Sequence, residues 1–154
     1  MVHNVRSISR RSILAAGLGT VIMPAMAQDG NDPPNEEPTE MQIRMTFHGQ
    51  ALTGTLYDNA STRDLLALLP LDIEIDDYAN NEKIAYLPRN LTLEGSASFS
   101  NERPGDICYF APWGNLALFF AGYRYSSGLV RLGRLDDFAP LLTRGKFPLR
   151  IACL

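Results

Sequence analysis

The sequence is poor in the residues that most catalytic sites require. Its 154 residues include two histidines, two cysteines and one tryptophan. His3 lies in the N-terminal segment, so a site in the folded part has to rely on His48, which falls in a predicted turn. A Ser-His-Asp triad or a zinc site would need His48 together with distant partners. We therefore expect no cofactor and no metal. A cofactor or metal enzyme is kept as the least favoured of three functional alternatives.

An excess of positive charge is also absent. The formal net charge is −3, and the part from Met41 onward carries 11 basic and 12 acidic residues. A nearly neutral domain has no excess of positive charge with which to bind nucleic acid or anionic lipid. Nucleic acid is therefore excluded as an expected partner.

Long hydrophobic runs are missing, which argues against a membrane-spanning helix. Residues 13–23 form a weakly apolar run of 11 residues, whereas a helix that crosses a bilayer needs about 20. Three arginines precede the run, and Ala25-Met-Ala27 follows it as a cleavage site. Ser9–Leu14 resembles the twin-arginine export signal of bacteria. We interpret residues 1–27 as a signal peptide and expect a periplasmic or secreted protein without a stable membrane anchor after cleavage.

Residues 28–40 have the composition of a solvated tether. They contain five acids, three prolines and no basic residue. Such a segment cannot bury enough apolar surface to offset the entropy of ordering it. We predict a disordered acidic tether over 28–40 and one domain over 41–154, which is long enough for a single core.

Periodicity predicts that this domain is mainly β. Segments with strand propensity or alternating polarity occur at 41–47, 51–57, 71–76, 82–86, 91–93, 107–110, 115–120, 129–135 and 147–153. A helix is predicted from Asp58 or Asn59 to Pro70, with a capping box at Ser61–Asp64, and a short one from Asp136 or Asp137 to Leu142. About eight strands and two short helices in so short a chain indicate a closed barrel whose ends the helices cover.

The centre of the domain is a predicted hairpin. Ile107–Phe110 and Asn115–Phe120 are apolar, aromatic-rich runs, and Ala111–Gly114 between them suits a tight turn with Trp113 at its tip. Cys108 lies in this hairpin, and Cys153 is the other cysteine. A disulfide between them and two buried free thiols both stay open, although the free thiols are favoured.

Four stretches resemble the small bacterial cyclophilin-like domain family. They are Asp58-Asn59 with Arg63-Asp64 and Leu68–Leu71, Glu82–Ile84 with Tyr86–Arg89, Gly105–Ile107 with Tyr109 and Pro112–Ala117, and Tyr125–Val130 with Leu132–Arg134. The resemblance implies a closed eight-stranded β-barrel with two short capping helices. It implies no settled activity, because the family is known mainly by its fold.

True cyclophilins isomerise X-Pro bonds. This sequence lacks the two sequence motifs of the strands that line their proline pocket. Neither Phe-His-Arg-Val-Ile nor Gly-Ser-Gln-Phe-Phe occurs in it. The reaction needs a guanidinium placed at the amide nitrogen beside an apolar pocket. Arg89, next to Pro88, is our candidate for that role, with an ion pair to Glu82 or Asp106 as its alternative.

We expect a ligand groove at the aromatic rim of the barrel. Its candidate residues are Arg89, Tyr109, Trp113, Asn115, Tyr125 and Ser127. Structural alternatives stay open for them: Trp113 as a lid over the barrel mouth, Asn115 as a turn cap, Tyr109 as core packing, and 125–127 as a plain turn. The expected function is peptide or small-ligand binding without efficient catalysis. The alternative is a peptidyl-prolyl isomerase or folding helper of the cell envelope, and no oligomeric state follows from the sequence.

Overall fold

The computed structural model describes residues 36–154, so the predicted signal peptide over 1–27 and residues 28–35 of the predicted tether lie outside it. The described part contains eight strands, one α-helix and one 3-10 helix. They are β1 (Pro38–Phe47), β2 (Gln50–Tyr57), α1 (Ala60–Leu66), β3 (Leu71–Tyr78), β4 (Glu82–Tyr86), β5 (Asp106–Phe110), β6 (Asn115–Phe119), β7 (Leu129–Leu135), the 3-10 helix (Ala139–Leu142) and β8 (Phe147–Cys153). None of the helices in residues 36–154 is long and apolar enough to cross a membrane.

The eight strands form one closed barrel in the order β1-β2-β7-β5-β6-β4-β3-β8, which confirms the predicted fold class. Neighbouring strands are antiparallel, and the pairing of β1 with β8 closes the ring. Side chains that point inward fill the barrel, among them Met45, Leu56, Ile75, Ile107, Leu118 and Leu132, all fully buried. Closure pairs the edges that an open sheet would leave free for aggregation.

The helix α1 begins where the sequence predicts but is capped differently. The side chain of Asn59 accepts a hydrogen bond of 2.8 Å from the backbone of Thr62. The predicted capping box is wrong, because Ser61 donates to the carbonyl of Thr92 at 2.6 Å and Asp64 accepts from the backbone of Thr92 at 2.7 Å. These two side chains therefore attach the 90–92 segment to the helix.

The second predicted helix is a single 3-10 turn, Ala139–Leu142, with Pro140 in its first turn. Leu141 from this turn and Leu65 from α1 are both fully buried in the main core. The two helical segments thus add apolar side chains to the packing inside the barrel, as a capping role requires.

Several boundaries differ from the prediction, since α1 ends at Leu66 and not at Pro70, and β3 continues to Tyr78. Residues 91–93 are not a strand; Leu91 is buried, and its backbone donates to the hydroxyl oxygen of Tyr109 at 3.1 Å. At the N-terminal side, β1 begins at Pro38, three residues before the expected start, where Pro38 pairs with Tyr57 of β2 and the side chain of Thr39 donates to the carbonyl of Leu56 at 2.8 Å. Glu36, which we placed in the tether, is buried against the barrel.

The predicted hairpin is formed by β5 and β6, and both of its faces are covered. Its inner face belongs to the main core, whereas its outer face carries a second cluster made of Phe99, Cys108, Ala117, Phe119 and Leu129. The turn closes at Gly114, which has the positive φ of 69° that favours glycine. Cys108 and Cys153 are free thiols, the first buried and the second exposed.

Candidate functional site

A groove of about 280 Å³ lies on the outer face of the barrel, above β4 and β6. Ile84 and Ala117, which are paired across the two strands, form its floor. Glu82 lines one end and Asn115 the other. Since Asn115 pairs with Tyr86 on β4, four residues beyond Glu82, the two ends are roughly 13 Å apart along the strands.

Aromatic rings form one wall of the groove. The indole of Trp113 meets Phe110 at 5.5 Å and Tyr78 at 5.2 Å between ring centroids, both edge to face. Tyr78 is paired with Glu82 at the start of β4, whereas Trp113 lies two residues before Asn115, which is paired with Tyr86 at the end of β4; the two rings therefore meet from opposite ends of that strand. Trp113 therefore lies on the side of the barrel and not over its mouth. It is 47% exposed, which leaves the indole accessible to a ligand.

Tyr123 also lines the groove. Its ring stacks on Phe119 with centroids 3.6 Å apart and planes 6° from parallel. Its hydroxyl group donates a hydrogen bond of 2.6 Å to Asp106. Burial raises the pKa of Tyr123, and Cys108 and Asp106 raise it further, so the hydroxyl stays a neutral donor.

Asp106 belongs to a buried network of charges. It is completely buried and accepts hydrogen bonds from Arg131 at 3.1 Å and from Arg134 at 2.5 Å. Arg131 also binds the carboxylate of Glu36 and stacks over the ring of Phe99 at 4.3 Å. Burial alone would lower the pKa of Arg131, but its hydrogen bonds to Glu36 and Asp106 and their charges raise it above its usual value. The network fixes the loop before β5 and the start of the described chain to the same face as the groove.

One end of the groove contains a buried acceptor without a partner. Asn115 is 1% exposed, and its side-chain nitrogen donates to the carbonyl of Leu116 at 2.9 Å. That hydrogen bond identifies the other atom as the oxygen, Oδ1, which has no hydrogen-bond partner within residues 36–154. Leaving a buried acceptor unsatisfied costs about 1–3 kcal/mol. A ligand with an N–H or O–H group would recover this energy.

The other end contains a carboxyl group without a cation. Burial raises the pKa of Glu82 from 4.5 to about 7. In the described part of the chain its side chain forms no ion pair or hydrogen bond, although nine ion pairs occur elsewhere. The groove thus has an apolar floor, aromatic and polar side chains around it, and an acceptor at each end, one of them ionisable near neutral pH.

Comparison with known proteins assigns the fold to a family. Residues 45–152 match the model of the Cyclophilin-like family. The chain belongs to the Cyclophilin-like family. A similar solved structure is the solution structure of a hypothetical protein from Archaeoglobus fulgidus, with 18% identity and a TM-score of 0.61. The match covers 76% of this chain and 97% of that one, and at this identity it shows a common fold. No curated protein matches the chain.

In this cyclophilin-like barrel, two of the six predicted site residues line the groove, namely Trp113 and Asn115. Tyr109 does not, because it points into the barrel, is fully buried, and donates through its hydroxyl to Asn90 at 3.5 Å. Its side chain is therefore part of the core, as the structural alternative proposed. Within residues 36–154, no three His, Cys, Asp or Glu side chains cluster to hold a metal ion.

The other predicted residues lie beside the groove or away from it. Tyr125 packs edge to face on Phe99 at 5.1 Å, and Ser126 lines the groove in place of Ser127. Arg89 lies next to α1, where its guanidinium pairs with Asp64 at 2.7 Å and not with Glu82 or Asp106. This exposed pair places the arginine that we nominated outside the groove.

Sequence reasoning missed most of the residues that line the groove. Among those missed are Tyr78, Glu82, Phe119, Tyr123 and Arg124. Alternation in 82–86 shows which side chains point outward, but it does not show that β6 pairs with β4. The sequence did contain one indication of the buried charge network around Asp106. Arg131 interrupts the apolar strand at 129–135, where a charged side chain requires a buried partner.

Proposed function

We propose that this member of the Cyclophilin-like family binds a peptide or small extended ligand in the groove above β4 and β6, without efficient catalysis. The observation that carries the proposal is the unpartnered Oδ1 of Asn115, buried at one end of an aromatic-walled groove. Ligand sites are mostly apolar clefts with a few convergent polar groups, which describes this groove. The proposal includes action outside the cytoplasm, for which the signal-like residues 1–27 are the support.

The single tryptophan of the chain provides a direct test. Because Trp113 lines the groove, an occupant changes the emission of the whole protein. We expect a set of capped tripeptides to include some that shift or quench this emission to saturation, and Asn115→Leu to weaken those that do. Gln42→Leu is the matched control, since Gln42 is an exposed amide on β1, on the opposite side of the barrel. A set in which no peptide changes the emission contradicts the proposal.

Prolyl isomerisation is the second candidate, and one observation favours it. The isomerase chemistry needs a guanidinium at an apolar groove, and Arg124 is an arginine that lines this one. A proline-peptide isomerisation assay on the full chain decides the question, with Arg89→Ala as control for Arg124→Ala. We expect the uncatalysed rate in every case. An acceleration that disappears in Arg124→Ala and persists in Arg89→Ala would instead establish the isomerase.

A further inference from the structure

We propose that the occupant of the groove is a peptide bearing a lysine side chain, whose ammonium group binds the carboxylate of Glu82 while its alkyl chain lies over Ile84. This inference rests on the proposed function, since it assigns a ligand class to the same groove.

Three of the four carboxylates on β3 are paired with cations of the barrel itself, and the fourth, Asp76, accepts a hydrogen bond from the backbone N–H of Asp77. Asp72 binds Arg150 at 2.6 Å, Glu74 binds Lys146 at 3.3 Å, and Asp77 binds the buried Lys83 at 2.6 Å. Glu82 has no such partner in the described residues, although it is partly buried. Removing a carboxylate from water without a counter-charge is unfavourable. A cation brought by a ligand would supply the missing partner.

The charge around the groove floor also suits a cation. Asp76 is paired with Ile84 across β3 and β4, so a second carboxylate lies beside the floor. Arg124 is the nearby positive group, but it acts on a different acid: the backbone hydrogen bond from Tyr125 lowers the pKa of Glu102, and the charge of Arg124 lowers it further. For Glu82 the shift has burial as its cause. The groove and its edge thus carry two carboxylates, Glu82 and Asp76, and one guanidinium, Arg124.

The shape and lining of the groove favour a long alkyl chain with a charged end. Lysine buries its methylene groups on apolar surface and keeps its ammonium group at a polar one. The rings of Tyr78, Trp113 and Tyr123 line the same groove and attract an ammonium group through their faces.

Asn115 indicates a peptide in preference to a free amine. Its unpartnered Oδ1 needs a donor roughly 13 Å from Glu82. A backbone N–H of a peptide can donate to this oxygen while the lysine side chain extends along β4 toward Glu82. A small alkylamine has one donor group and reaches only one of the two ends.

The test compares two peptides that differ in one group. Acetyl-glycyl-lysyl-glycine amide and the same peptide with norleucine have equal backbones and nearly equal stems, and neither contains proline or a free α-amine. Titration of the full chain, followed by Trp113 emission and calorimetry, is expected to show the lysine peptide binding about tenfold more tightly or better, as a charged hydrogen bond implies. Glu82→Gln should remove that difference. Glu74→Gln, which removes a carboxylate outside this groove, should preserve it.

The other outcomes contradict the lysine assignment, the groove function or the peptide as ligand, as follows. Equal binding of both peptides contradicts the lysine assignment and leaves the groove function standing. Binding by neither peptide, in a chain that other tripeptides do saturate, has the same meaning. If no peptide of any kind binds, the groove function fails as well. Butylamine that binds as tightly as the lysine peptide overturns the peptide as the source of the ammonium group.

Discussion

The hydroxyl group of Tyr123 donates a hydrogen bond of 2.6 Å to the carboxylate of Asp106. This contact joins a wall of the groove to the buried charge network behind it. Tyr123→Phe keeps the ring on Phe119 but removes the donor, so we expect the free energy of unfolding to fall by about 1.5–3 kcal/mol. The affinity for the lysine peptide should stay within about twofold, because the ring remains. Urea unfolding and peptide titration measure the two quantities, and a large loss of affinity with unchanged stability contradicts this division of roles.

Arg131 compensates two buried carboxylates at once. In Arg131→Met, Glu36 loses its cation and Asp106 keeps Arg134 as its remaining one. Breaking a buried ion pair from one side is strongly destabilising, so we predict a loss of about 3–5 kcal/mol in urea unfolding. Arg150→Met breaks the exposed pair with Asp72 and is the control, with an expected loss of at most about 1 kcal/mol. Similar losses in the two variants would show that Arg131 is not needed for compensation.

Glu82 makes stability depend on pH. Its pKa is about 7 in the fold and 4.5 ordinarily, so the folded state resists ionisation and the native chain loses stability as the pH rises from 4.5 to 7. Glutamine has no such charge. Glu82 is partly solvated, which limits the size of the effect. We expect the free energy of unfolding of Glu82→Gln to exceed that of the native chain by about 1–2 kcal/mol at pH 8 and to equal it near pH 4.5. Urea unfolding at both pH values tests this, and a difference that does not change with pH refutes it.

The same proton affects binding of the lysine peptide. An ammonium group favours the ionised form of Glu82, so affinity should rise through pH 7 and level off above it. The other ionisable groups around this end are Asp76 and Tyr78 from β3 and Tyr123 and Arg124 after β6. Titrations between pH 5.5 and 8.5 should show this rise for the native chain and not for Glu82→Gln. The same rise in both would assign the proton to another group.

Replacing Asn115 should weaken peptide binding without changing the stability of the fold. Asn115→Leu loses the hydrogen bond to Leu116 but also removes the unsatisfied Oδ1. The two effects are each about 1–3 kcal/mol and opposite in sign, so the free energy of unfolding should change by at most about 1 kcal/mol. Peptide affinity should fall nonetheless. A variant that unfolds easily and still binds would show that this amide serves the fold and not the groove.

Local patterns predicted most of the barrel. Alternation in 71–76 and 147–153, the turn at Ala111–Gly114 and the helix start at Asn59 are set by residues close in sequence, and β3, β8, the central hairpin and α1 follow them. Residues 91–93 misled the prediction, because an apolar residue that anchors a loop has the same composition as a short strand. Here Leu91 is buried without pairing in a ladder.

The site depends on contacts that no local pattern contains. The groove exists because β4 pairs with β6, whose partners Glu82 and Phe119 are far apart in sequence. Glu36 and Arg131 are separated by 95 residues, which is why Glu36 read as part of an acidic tether. Of the six predicted site residues, Trp113 and Asn115 line the groove; Trp113 lies in a turn that the sequence does define, and Asn115 directly follows it.

The central claim is that the groove above β4 and β6 is the ligand site. The most direct test is an amide NMR titration of the ¹⁵N-labelled chain with acetyl-glycyl-lysyl-glycine amide. We predict saturable shifts at Glu82, Ile84, Asn115 and Ala117, together with the indole N–H of Trp113, and none at Gln42 on the opposite side. Saturable shifts centred on Arg89 and Asp64 beside α1, with the groove amides unmoved, would contradict the account.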